Sequence, residues 1–234
     1  MSLSYKVYDF PPIWRGKQLF HAGGQAFEGG FTSGGARVLT PEPGGRGILN
    51  MEFAVQQNCP ADPIVSWLSS MIANGNIFRI PISFTPQLVK LPDLGLSGSD
   101  GEGLPWAASG LSPEVPWSNG QNWAYDVFAG AASTALAGTV TLDLDFGTLP
   151  PVLRHGHLIG HGDVTYLVEN IEYDGSIATI TVNPPLRNTV ARGDLITFRP
   201  KMLATPRNPD SFRGLYEPAD IIRLGSAEFV EALT

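Results

Sequence analysis

Cysteine is nearly absent: Cys59 is the only one in 234 residues. That excludes an internal disulfide and any cluster of thiolates around a metal. As a lone residue between Asn58 and Pro60 it reads as a small apolar side chain rather than a reactive thiol. Charge is also scarce, at 16% of residues against about 25% in ordinary soluble domains. Long apolar runs are missing. The uncharged stretch from Val127 to Leu142 is rich in Ala, Gly, Ser and Thr, too short and too polar for the ~20 apolar residues that cross a bilayer. The first residues, MSLSYKVYDFPPIWRGK, lack the basic-then-apolar order of a secretory signal. The expectation is a soluble protein made in a cytoplasm, without membrane insertion.

Glycine and proline are plentiful. With 27 Gly and 20 Pro they make up roughly a fifth of the chain, above a usual share of about 12%. So many breakers force short elements, which favours strands and turns over long helices. The expected class is mainly β, a barrel or sandwich with one short α-helix and a long Gly/Pro-rich excursion. Three regions follow: 1–85, β-rich with a helix at 63–74; 86–122, an extended insertion; and 123–234, barrel-like and open to being continuous with the first.

The helix is bounded by Asp62-Pro63 and Asn74-Gly75, an acid and a proline at its start and a left-handed cap at its end. Ile64, Leu68, Met71 and Ile72 form one apolar stripe, with Trp67 at its border. Flanking it, RGILNMEFAV from Arg46 and FRIPISF from Phe78 read as strands, Pro81 marking an edge position or a bulge. TVTLDLDF from Thr139 alternates as a strand, and HLIG, VTYLVENIEYD, SIATITVNP and DLITFRP continue as a small barrel. In the last two, Ile180, Val182, Leu195, Ile196 and Phe198 suit half-buried strands. The ending, DIIRLGSAEFVEALT, reads as a final strand.

Net charge is −7, unevenly spread. From Phe84 to Phe146 the only cation is Lys90, against seven acids that include Asp100, Glu102, Glu114, Asp143 and Asp145. From Leu186 to Gly214 the balance reverses, with Arg187, Arg192, Arg199, Lys201, Arg207 and Arg213 against Asp194 and Asp210. Opposed poles favour head-to-tail contacts between copies, whereas a small basic cluster on an acidic chain does not make a general nucleic-acid binder.

Catalytic and metal motifs are thin. His155, His157 and His161, in HGHLIGHGD, are the only candidate metal cluster, but no further ligand completes a spacing. Histidines bonded to backbone in a turn are the simpler reading. Asp143 and Asp145 share a strand face; they read as its wet side rather than as a glycosidase acid pair. No nucleophile elbow, phosphate loop or dinucleotide fingerprint occurs. Trp106, Trp117 and Trp123, with Tyr125, fall in or beside the excursion. They fit a lid, a partner anchor or, as the main rival function, the stacking surface of a carbohydrate-binding or adhesin-like domain.

PWSNGQNWA, a small-residue stretch, TVTLDLDF, H-x-I-G…Y-x-V, a strand ending PPLR and then GDLITFRP together resemble tail proteins of long-tailed bacteriophages. The likeness is greatest to the distal tail (Dit-like) group and related tail-tip proteins. It covers chiefly Val115 to Lys201, with EFVEAL at the end and, more loosely, DPIVSWLSSMIANGNIFRIPI. The resemblance implies a structural virion protein without turnover chemistry or cofactor, assembled in the host cytoplasm. It implies a ring, taken as hexameric, between the tail tube and the hub or baseplate, with DNA only as passing cargo. Arg187, Arg192, Arg199, Lys201, Trp117 and Trp123 are then the expected subunit contacts, and Asp100, Glu102 and Glu114 the channel-facing acids.

Overall fold

The computed structural model describes residues 6–10, 17–23, 26–31, 37–41, 45–53, 56–57, 62–83, 85–89, 128–147, 150–207, 215–217, 221–223 and 225–232. Its elements in chain order are β1 (Val7–Asp9), β2 (Lys17–His21), β3 (Ala26–Phe31), β4 (Arg37–Pro41), β5 (Ile48–Glu52), β6 (Gln56–Gln57), α1 (Asp62–Ala73) and β7 (Ile77–Pro81). There follow β8 (Phe128–Ala131), β9 (Thr141–Asp145), β10 (Leu158–His161), β11 (Val164–Asp174), β12 (Ile177–Asn183) and β13 (Leu195–Thr197). The last are β14 (Lys201–Pro206), β15 (Leu215–Glu217), β16 (Ile221–Arg223) and β17 (Ser226–Glu231). The mainly β class read from the sequence is the class observed.

Two units dominate. The first is a six-stranded sheet in the order β1-β7-β14-β17-β5-β2, antiparallel except where β1 runs parallel to β7. Its two sides are tied by Gln18 of β2. Gln18 Nε2 donates to the Pro81 carbonyl at 3.1 Å, and the Ser83 amide donates to Gln18 Oε1 at 2.8 Å. The curled sheet and α1 enclose a core of Phe20, Leu49, Leu68, Ile72, Phe78, Ile80 and Phe229. Phe10 meets both Phe78 and Phe229 edge-on, the arrangement that aromatic quadrupoles favour. Smaller pairings join β3 to β4, and β15 to β16 to β6.

Helix α1 lies where the stripe predicts. Leu68 and Ile72 are fully buried while Ser66 and Ser70 face water. At its end the Gly75 amide donates to Ile72 O and the Asn76 amide to Met71 O. This pair of bonds satisfies last-turn carbonyls and needs the left-handed φ of +65° at Gly75.

The second unit is a closed antiparallel barrel in the order β10-β11-β12-β9-β8-β13. Alternation fills it: Leu142 and Leu144 from β9, Tyr166 and Val168 from β11, Ala178, Ile180 and Val182 from β12, and Ile196 and Phe198 at β13. Closure pairs every strand on both sides, so this unit exposes no sheet edge.

Three expectations need correction. The barrel does not run to residue 234: β14 and β17 return to the first sheet, where Met202, Ala204, Ala227 and Phe229 join its core. The pairing partner of β14 is β7, far back in the chain, and local alternation carries no information about it. Pro81 does not mark an edge strand, since β7 lies between β1 and β14. It ends β7 beyond the last residue paired with β1, Arg79, so its missing N–H breaks no bond on that side. Leu195 is not half-buried but 59% exposed, because Ile196 takes the inward position beside it.

Candidate functional site

The three clustered histidines do not converge. His155 Nδ1 contacts the Glu169 carbonyl at 2.8 Å, His157 Nδ1 accepts from the Arg154 amide at 3.0 Å, and His161 Nε2 lies 3.3 Å from Asp194 Oδ2. Two imidazoles thus order turns and the third bridges β10 to the turn before β13. Among the described residues no group of three or more His, Cys, Asp or Glu is arranged to hold a metal ion.

The basic residues separate into two kinds. Arg187 is turned inward, contrary to its expected place at a subunit contact. Its Nη2 lies 2.9 Å from Glu231 Oε2 and 2.8 Å from the Gly45 carbonyl, while its Nε reaches Glu231 Oε1. Its backbone amide donates to the Tyr166 hydroxyl at 3.0 Å. Burial pushes the Tyr166 hydroxyl pKa up, against the lowering effect of that bond. Arg199 is also engaged within the chain, donating from Nη1 to the Val89 carbonyl at 2.8 Å. Arg187 spans the junction between barrel and sheet and satisfies carboxylate and carbonyl oxygens there, whereas the Val89 that Arg199 meets is part of the barrel's own core. Arg192 and Lys201, by contrast, are exposed.

A third arginine, Arg79 on β7, forks onto Asp163 in the β10–β11 turn at 2.8 and 3.0 Å and also reaches Asp9. The bonds from Asp163 and then Asp9 hold the guanidinium firmly protonated, raising its pKa further. Asp163 was read only as the end of the histidine run and Glu231 was missed in the sequence, yet Glu231 left a trace. It follows Ala227 and Phe229 at period two, on the inward face of β17. A carboxylate at an inward strand position signals a buried cation.

Asp143 and Asp145 stand on the outside of the barrel. Asp143 accepts from Ser133 Oγ and Thr179 Oγ1, both at 2.8 Å, and Asp145 Oδ1 accepts from the Gly147 amide at 2.9 Å. These bonds make them structural acceptors in turns and across strands. Beside them is an open groove of about 610 Å³, lined by Phe128, Gly130, Asp145, Ile177 and Arg192 among others. Trp106, Trp117, Trp123 and Tyr125, the acids Asp100, Glu102 and Glu114, and Cys59 lie outside the described residues. No helix among the described residues is long and apolar enough to cross a membrane. Comparison with known proteins finds no matching family model and no matching curated protein.

Proposed function

We propose that this chain is a structural component of a phage tail tip, forming a ring that joins the distal end of the tail tube to the hub and keeps the DNA channel open. One observation carries the reading. The motifs behind the phage resemblance coincide with five of the barrel's six strands: TLDLD is β9, HLIG meets β10, Y-x-V lies in β11, the strand leading to PPLR is β12, and LIT is β13. A resemblance scattered over unrelated loops would carry little; here it follows one closed unit.

The chemistry accords with an assembly role. Two ion pairs, Arg187–Glu231 and Arg79–Asp163, brace the molecule internally. A braced block suits a part that holds its shape while DNA passes. Its partners are further copies of itself, the tube protein and the hub. Negative-stain imaging of the purified chain, and antibody labelling of tailed particles that contain it, test this reading. Rings with a central hole and a label at the tail end away from the head are expected. Particles that carry no label overturn it, and glycan-array binding lost on Trp106, Trp117 or Trp123→Ala favours the carbohydrate-binding rival.

A further inference from the structure

Two glycines of the barrel have reasons inside the chain. Gly193 adopts a φ of +90°, and a Cβ on Gly160 would fall 2.9 Å from Pro200. Gly130 has neither reason. It lies inside β8, paired with Asp145 of β9 on one side and Leu195 of β13 on the other. Its φ is outside the left-handed region, and a Cβ placed on it would meet only the Asp145 carbonyl oxygen, at 4.0 Å. Neither backbone conformation nor packing among the described residues asks for glycine there, and glycine weakens a strand. Ala129 and Ala131 on either side are buried, so the missing side chain leaves bare backbone on the outer face of the barrel.

That bare patch belongs to the open groove of about 610 Å³. Phe128, two residues before Gly130 on the same face, is 39% exposed, and Ile177, the register partner of Asp145 on β12, is 42% exposed. Two charged groups join them. Asp145 accepts the Gly147 amide at Oδ1, 2.9 Å away, and its Oδ2 has no partner among the described residues. Arg192 is held through the backbone. Its amide donates to Thr134 Oγ1 at 3.2 Å, and the Gly193 amide donates to Ala131 O at 2.8 Å. The Arg192 guanidinium has no hydrogen bond or ion pair among the described residues. The neighbouring acid, Asp194, is engaged elsewhere, accepting from the Ala191 amide and meeting His161. A carboxylate and a guanidinium therefore line one groove without neutralising each other.

This set selects a ligand by exclusion. A net anion meets Asp145 and a net cation meets Arg192, so each is repelled by one wall of the groove. Hydroxyl groups suit both walls, because each can donate to a carboxylate and accept from a guanidinium. Phe128 and Ile177 call for an apolar face beside those hydroxyls, and the bare backbone at Gly130 lets a flat ring come close. A pyranose ring combines a hydroxyl edge with C–H faces. An open groove does not cover roughly 70–90% of a free small molecule, as enclosed pockets do; it suits one unit of a chain that continues beyond it. We propose that the groove is a glycan subsite for a neutral hexopyranose unit of a polysaccharide. Phe128 is its platform, Gly130 its floor, and Asp145 with Arg192 its hydroxyl-binding pair. The site uses none of the tryptophans of the excursion and does not rest on the tail-tip assignment.

Isothermal titration of the full chain with neutral hexasaccharides of glucose, galactose, mannose and N-acetylglucosamine tests the proposal. Hexasaccharides of galacturonic acid and glucosamine serve as anionic and cationic controls. At least one neutral hexasaccharide is expected to bind, tenfold or more tighter than either control, and equally at low and high salt because it carries no charge. D145N, which keeps an acceptor for the Gly147 amide, and R192A each weaken binding at least fivefold with the melting temperature unmoved. G130A does not lower the melting temperature, since its Cβ has room, and G130V abolishes binding in a chain whose circular dichroism matches the parent. Three results overturn the proposal: no binding of any neutral hexasaccharide; binding that survives G130V, or is lost instead on Trp106, Trp117 or Trp123→Ala; and a charged hexasaccharide bound as tightly as a neutral one.

Discussion

Removing the Arg187 guanidinium would leave the Glu231 carboxylate, which is 4% exposed, with only the Gly47 amide at 2.9 Å among its two strong donors. Breaking a buried pair from one side costs about 3–5 kcal/mol. R187A is therefore expected to lower the urea midpoint strongly, while R192A, at an exposed site, stays within about 0.5 kcal/mol of the parent. The same corner predicts an alkaline limit. The folded state holds the Tyr166 proton above its ordinary pKa of about 10. Its contribution is then complete below that pH and lost as pH rises through the higher folded value. Circular dichroism between pH 9 and 12, taken as about the working range, should show Y166F losing stability less steeply than the parent. Composition located the arginines but not their tasks. Arg187 and Glu231 are 44 positions apart, and only the folded chain decides that one arginine turns inward while Arg192 turns out.

At the scale of elements, local chemistry was readable wherever it acted locally. The end of α1 was legible because Asn74-Gly75 offers the left-handed conformation by itself. Nothing lies within 4 Å of a Cβ added at Gly75, so G75A tests backbone conformation without steric conflict. It should cost roughly 1–2 kcal/mol, measured as a fall in the urea midpoint at unchanged slope. Strand positions β9 to β13 in the barrel were likewise legible from period-two alternation, whereas β8 lies in a run of small residues that also permits a helix. Pairing partners were not: β17 alternates like the barrel strands, yet it joins β14 to β5 in the other sheet. Register depends on which apolar faces share a core, a tertiary property that no strand states alone.

Across the whole molecule, sheet and barrel have separate cores joined by polar bridges: Arg79 to Asp163 and Arg187 to Glu231. Apolar contact at Leu158 and backbone bonds such as Leu158 N to Gln87 O reinforce them. The parent is expected to unfold in one transition that near-UV and far-UV circular dichroism report together. In R79A/R187A, with two bridges cut, the two signals should separate, one core melting before the other. Coincident curves in the double variant would show that the apolar junction alone couples the units.

The chain leaves the curled sheet at Pro81 and re-enters it at Lys201, and these two residues are register partners in neighbouring strands. The Ile82 amide even bonds the Pro200 carbonyl at 3.0 Å. Topologically, then, β7 and β14 are the two arms of a hairpin, and everything between, barrel included, is its loop. A loop with touching ends is a graft site. Exchanging the barrel between residues 82 and 200 leaves the β7–β14 register intact, provided the replacement resupplies what Leu158 and Arg187 give the sheet.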